Sequence, residues 1–227
     1  MCFVSFITLM PRVELPRPVG ATVPQPTLVQ TVSLALRDRP LVWFVALNTG
    51  YWFLYTQFTL TLPLYALRAF SGLEVVSAYY FVNSLPAVFL QYPLLEKLHR
   101  RWSAALIMVA RMLCIALGIG TIGKWSIPAP VIASSGLYAL GDLLYQPTQQ
   151  TVISDMARPE MLGAYFGFAS FALAIGGGLG NLFGGALFDL ASANGRPALL
   201  WYGYGALGVL LALGLAQWGR APRVIVP

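Results

Sequence analysis

Two ionisable side chains interrupt long apolar runs of the sequence: Arg111 in ALIMVARMLCIAL and Asp142 in YALGDLLYQ. A charge is costly to hold among hydrocarbon, so each must face protein or a water-filled cavity. Arg111 follows Trp102 by nine residues, roughly 14 Å along a helix. Asp142 precedes Ile153 by eleven residues, roughly 17 Å along a helix. If the two runs are neighbouring antiparallel helices, both charges lie at similar depth and an ion pair is feasible. Three roles are open: a structural pair, a carboxylate linked to a proton or a substrate at Asp142, or a long side chain reaching toward the polar surface.

A second pattern lies upstream. Asn48, Tyr51, Trp52, Tyr55 and Thr59 recur at three- and four-residue steps, which puts them on one face of a helix. Aromatic and polar groups on one stripe suit a cavity for amphipathic organic molecules. They suit helix packing with interhelical hydrogen bonds equally well. A third pattern is glycine: Gly163 and Gly167 are four apart, as are Gly176, Gly180 and Gly184. That spacing lines one helix face and lets another helix approach closely, as static packing or as a face that slides or bends. Gly177, Gly178 and Gly185 add local pliability. The run lies inside an apolar stretch, so it is not a phosphate-binding loop.

No enzyme constellation accompanies these groups. His99 is the single histidine, set among basic residues, and there is no H-E-x-x-H, G-x-S-x-G or nucleotide loop. Cys2 and Cys114 give neither a disulfide framework nor metal-ligand spacing, and Cys114 reads as small helix packing. Neither a cofactor nor a metal is expected.

The elements that position these residues follow from composition. The chain of 227 residues is 58% hydrophobic and 10% charged, whereas a soluble domain carries about 25% charged residues. The net charge of +6 is spread in short clusters between apolar runs, which argues against a nucleic-acid surface. A membrane-spanning helix needs about 20 apolar residues. Six segments qualify: 41–67, 74–95, 102–122, 128–153, 163–189 and 198–218. Barrel strands would be about 10 residues long and alternating, so helix is the choice. The expected fold is an all-α integral membrane bundle of six transmembrane helices, with short polar links forcing antiparallel neighbours. Trp43, Trp102, Trp125, Trp201 and Trp218 lie near span ends, where headgroups favour an amphipathic ring.

Basic residues orient the bundle. Arg12, Arg17, Arg37, Arg39, Lys97, Arg100, Arg101, Arg158, Arg220 and Arg223 fall on one side, and only Arg68, Lys124 and Arg196 on the other. The first side is therefore cytoplasmic, with both termini inside. Residues 11–40 read as a cytoplasmic linker, proline-rich over 11–30, and 219–227 as a cytoplasmic tail. Residues 1–10 read as the end of a preceding helix.

Three segments resemble signatures of the major facilitator superfamily. YPLLEKLHRR, Tyr92 to Arg101, is similar to the loop pattern G-x-L-A-D-R-x-G-R-R, with Glu96 in the acidic place and Lys97, Arg100 and Arg101 in the basic places. Tyr92 and His99 stand where the pattern has glycine. DMARPEMLGAYFGF, residues 155–168, resembles the P-P-E-x-R-G-x-A-x-G segment before the eleventh helix. AIGGGLGNLFGGALFD, residues 174–189, resembles the helix G-x-x-L-G-P-x-x-G-G-x-L-x-D, with Asn181 in place of proline. Their order is that of the carboxy-terminal half, and RDRPLVWFVALNTGYW and ALGDLLYQPT add a likeness to the MdtH-type multidrug-resistance branch of the drug–proton antiporters. The likeness runs from about Phe3 to Trp218.

The resemblance implies one six-helix half of a twelve-helix transporter, exporting small organic compounds by proton exchange. It makes the first and fourth spans equivalent to cavity-lining seventh and tenth helices. That raises Tyr51, Tyr55, Asp142, Tyr145 and Gln146 as substrate-cavity residues, beside Asn48 and Trp52 of the stripe. Asn83 and Gln91 are weaker candidates, and Pro86 and Pro147 can bend their helices. The loop charges Glu96, Lys97, Arg100 and Arg101 read either as a cytoplasmic relay that holds one conformation shut or as plain topology. The implied partners are the lipid bilayer, a small-molecule substrate, protons, and a missing amino-terminal half or a second copy of the chain. A truncated gene or a misplaced start is the expected origin of the missing helices. The rival readings are a transport-inactive fragment and a homodimer of halves.

Overall fold

In the computed structural model the described residues are 36–70, 73–90, 101–123, 127–157 and 159–220. They are helical almost throughout, and no strand occurs among them. The helices are α1 (Arg39–Thr56), α2 (Leu62–Phe70), α3 (Leu73–Phe89), α4 (Ala104–Ile122), α5 (Pro128–Met156), α6 (Leu162–Ala193) and α7 (Pro197–Arg220). A π-helical turn, Gln57–Thr61, joins α1 to α2 without a break.

Local chemistry sets the boundaries. The Asp38 carboxylate accepts from the Leu41 amide at 3.3 Å and Pro40 occupies the first turn, so α1 begins at Arg39. The Ser103 hydroxyl accepts from the Leu106 amide at 3.3 Å, so α4 starts at Ala104, two residues after the expected Trp102. Pro128, whose missing N–H costs nothing at a helix start, opens α5. Gly195, with φ of 66°, makes the left-handed turn between α6 and α7 that a side chain would resist. Three described helices, α4, α6 and α7, are long and apolar enough to cross a membrane. The sequence led us to expect six. The helix α3 has 17 residues. In α5, Asp142 and three glutamines dilute the apolar content.

Small residues bring the helices together. α4 packs between α5 and α7, α1 lies against α6 and α7, and α3 rests on α5. At the α4–α7 seam a Cβ on Gly205 would stand 2.8 Å from the Gly120 Cα, and one on Gly208 the same distance from the Ala116 Cβ. At the α1–α6 seam Gly176 faces the Thr49 carbonyl, Gly180 faces Thr56 and the Phe53 carbonyl, and Gly184 faces Gln57 and Thr61. Gly163 and Gly167 differ: among the described residues nothing stands within 4 Å of a Cβ built on either. The single packing face expected from the glycine spacing therefore exists only over Gly176–Gly184, because only that stretch of α6 runs beside α1.

Two tryptophans also depart from expectation. Trp201 is buried against Tyr65 and Tyr204. Trp218 is buried beside Phe44, its indole donating to the Pro40 carbonyl at 3.0 Å. Both rings turn into helix packing instead of outward to a headgroup zone. Trp43 and Trp102 are exposed, and Trp125 lies outside the described residues.

Candidate functional site

The helices α1, α4 and α5 converge on a polar and aromatic cluster. Its centre is Arg111 of α4, whose side chain is 1% exposed, paired with Asp142 of α5, whose side chain is 34% exposed. The Arg111 guanidinium donates from Nη2 to Asp142 Oδ1 and to the Tyr51 hydroxyl oxygen. Its Nη1 reaches the Asp142 carbonyl at 3.5 Å. The hydroxyls of Tyr51 and Tyr138 donate to the same Asp142 Oδ1, at 3.3 and 3.4 Å. One carboxylate oxygen thus collects an arginine and two phenols.

Aromatic rings enclose the cation. The guanidinium carbon sits 4.2 Å from the Tyr145 ring centroid, 4.5 Å from that of Tyr51 and 5.9 Å from that of Tyr138. Ring faces attract a desolvated cation, and each such contact is worth about 0.5–2 kcal/mol. The cage is itself braced. Tyr51 and Tyr145 lie 3.8 Å apart between centroids, and Tyr138 stacks on Phe58 at 3.6 Å. The Tyr145 hydroxyl donates to Asn48, whose amide in turn donates to the Phe44 carbonyl at 2.9 Å. Tyr55 is half-buried at the edge, with ring contacts to Trp52, Tyr51 and Tyr138. Arg111 Nε has no hydrogen-bond partner among the described residues.

A second group fixes the seam beside this cluster. Gln57, fully buried in the π-turn, donates to the Gly180 carbonyl at 3.0 Å and to the Phe53 carbonyl at 3.2 Å, and accepts from the Thr61 hydroxyl at 2.8 Å. Gly184, without a side chain, leaves the space that the Gln57 carboxamide fills. Beyond it, Arg68 and Asp189 form an exposed ion pair of 2.8 Å between the ends of α2 and α6. At the other end of the seam the Tyr165 hydroxyl donates to Asp38 at 2.6 Å.

A recess of about 180 Å³ opens between α1, α5 and α6. Trp52, Gln146, Gln149, Gln150, Phe166 and Ser170 line most of it. Trp52 and Gln146 therefore belong to this recess, while Asn48, Tyr51, Tyr55, Asp142 and Tyr145 belong to the caged cluster. Asn83 lies apart on α3, its buried carbonyl oxygen unpartnered among the described residues. Gln91, Glu96, Lys97 and Arg100 lie outside the described residues, and Arg101 is exposed. Reading the sequence missed Tyr138, although it stands four residues before Asp142 on the same helix face. It also missed the Gln57 clamp and the glutamines at 149 and 150.

Ionisable groups set within apolar helices pair with one another and mark a candidate functional site. Residues 1–181 match the family model of the Major Facilitator Superfamily, and the chain belongs to that family of transporters, not to an enzyme family. It is 30% identical over 188 residues to "Multidrug resistance protein MdtH" of Klebsiella pneumoniae (strain 342), covering 83% of this chain and 46% of that protein. The proteins of the same name from Aeromonas salmonicida (strain A449) and Yersinia pestis (strain Pestoides F) are each 29% identical, over 195 and 180 residues. Those matches cover 85% and 79% of this chain, and 49% and 45% of the relatives. The chain thus spans a little under half the length of these relatives.

Proposed function

We propose that this chain supplies the carboxy-terminal six-helix half of a secondary transporter that exports small organic compounds in exchange for protons. The observation that carries the reading is the caged Arg111–Asp142 pair, set where α1, α4 and α5 meet. Asp142 is the one carboxylate in the cluster and is a third exposed, so solvent can deliver a proton to it. Protonation would remove the countercharge of Arg111 and free its guanidinium toward the phenols and rings around it. That is a charge change inside a packed interface, which is what a coupled transporter needs to bias one conformation over another. Family membership and the multidrug-resistance names of the relatives support the substrate class.

The six crossings would be 39–70, α3, α4, α5, α6 and α7, with both termini on the cytoplasmic side. The basic-residue bias supports that orientation. The polar residues that make α1 and α5 poor candidates by hydropathy suit helices lining an aqueous path. A transporter of this kind needs a second wall, because its site lies between two bundles that rock against each other. Six further helices, in the same polypeptide or another, would provide it.

The test is efflux of a fluorescent amphipathic dye from cells stripped of their own exporters. The 227-residue chain would be expressed alone and together with an amino-terminal six-helix half from one of its relatives. Proton-dependent efflux is expected from the pair and not from the chain alone. Efflux by the chain alone would replace the missing wall with a second copy. Absence of efflux in both arrangements, with the protein present in the membrane, would refute the transport reading.

A further inference from the structure

The recess between α1, α5 and α6 is built from neutral hydrogen-bonding groups. Gln146, Gln149 and Gln150 of α5 line it together with Trp52 of α1 and Phe166 and Ser170 of α6. No lining residue carries a formal charge. None of the three carboxamides is spent on a hydrogen bond to another described residue. The Ser170 hydroxyl donates to the Phe166 carbonyl at 2.9 Å, which leaves its oxygen free to accept. Each carboxamide offers both donors and an acceptor.

α5 carries two acids: Asp142, one helical turn before Gln146, whose Oδ1 is already taken by Arg111, Tyr51 and Tyr138, and Asp155, five residues after Gln150, which is exposed and does not line the recess. A cation seated in the recess would therefore find dipoles and no uncompensated negative charge. It would give up hydration without gaining a countercharge, which is unfavourable. An uncharged aromatic molecule would stack or pack on Trp52 and Phe166 and exchange water for the glutamine amides.

We propose that this recess is a binding subsite for uncharged aromatic molecules carrying an amide, hydroxyl or carbonyl group, read by Gln146, Gln149 and Gln150. The proposal rests on the transport reading for its role, since it takes the recess as part of the substrate path. Binding itself can be measured without transport. Two fluorescent probes of matched ring system separate the alternatives: a naphthyl carboxamide and a naphthyl trimethylammonium ion. Each is titrated against the full chain in lipid nanodiscs.

The carboxamide is expected to bind about tenfold tighter than the ammonium ion. The double variant Gln149→Leu/Gln150→Leu loses about tenfold for the carboxamide, as two hydrogen bonds of about 0.7 kcal/mol each would give. A second variant, Gln150→Glu, places a carboxylate on an exposed lining position and shifts the preference toward the ammonium ion. Equal or tighter binding of the ammonium ion by the unaltered chain overturns the proposal. So does a carboxamide affinity that Gln149→Leu/Gln150→Leu leaves unmoved, or a Gln150→Glu variant with unchanged preference. Selective binding without cellular efflux would sink the transport reading and leave the subsite standing; efflux without selective binding would do the reverse.

Discussion

Replacing Asp142 by leucine leaves the Arg111 charge buried with only phenols and rings around it. Breaking a buried ion pair by removing one partner costs about 3–5 kcal/mol. That range assumes both groups are dry, and Asp142 is 34% exposed, so about 2 kcal/mol is the reasonable figure for this pair. The reverse variant, Arg111→Leu, leaves a carboxylate that water can reach, so its electrostatic loss is smaller. The removed guanidinium also empties a cage bounded by rings at 4.2 and 4.5 Å. Removing both charges leaves neither one stranded. The double variant should therefore be more stable than the sum of the two single losses allows, with a coupling of about 1–2 kcal/mol. Thermal unfolding of the four proteins, purified in one detergent and followed by circular dichroism, reads the cycle. Losses that simply add would refute the view that Asp142 compensates a buried cation.

Two further outcomes follow from packing and topology. Gly180→Val should separate α1 from α6, because its new side chain would meet Thr56 Cβ and the Phe53 carbonyl within 3.0 Å; Gly167→Val, in open space, should leave the thermal midpoint nearly unchanged. Equal effects from the two variants would contradict the assignment of the close-packed face. Reporter fusions after Ser71 and Ser126 should read external and a fusion after Pro222 internal; an external signal at Pro222 would sink the six-crossing arrangement.

The sequence made some of this architecture legible and hid the rest for physical reasons. Each described helix falls on an apolar run of the sequence, and Pro40, Ser103 and Pro128 mark starts that cap chemistry explains. Arg111 and Asp142 could be placed at one level because depth along a helix depends only on residue count. Which neighbours each one meets depends on helix rotation, and that is why Tyr138 went unseen while Tyr51 and Tyr145 were named. The π-turn was hidden for a related cause: Gln57 finds its partner in the Gly180 carbonyl, a residue 123 positions away. The glycines show the same limit. Gly163 and Gly167 repeat the spacing of Gly176, Gly180 and Gly184, yet only the latter face α1. Trp201 and Trp218 sit near helix ends as interfacial rings would, but helix rotation points both inward.

The central claim is that Asp142 couples proton movement to substrate movement. Proteoliposomes containing the chain together with an amino-terminal half taken from a relative, loaded with dye and given an imposed pH gradient, test it directly. The unaltered protein should move dye in response to the gradient and should also exchange dye when no gradient is present. Asp142→Asn keeps the shape of the side chain and an oxygen for the Tyr51 and Tyr138 hydroxyls, but it cannot cycle a proton. It should retain exchange and lose the response to the gradient. A full gradient response in Asp142→Asn would show that the proton travels by another route and would contradict the account.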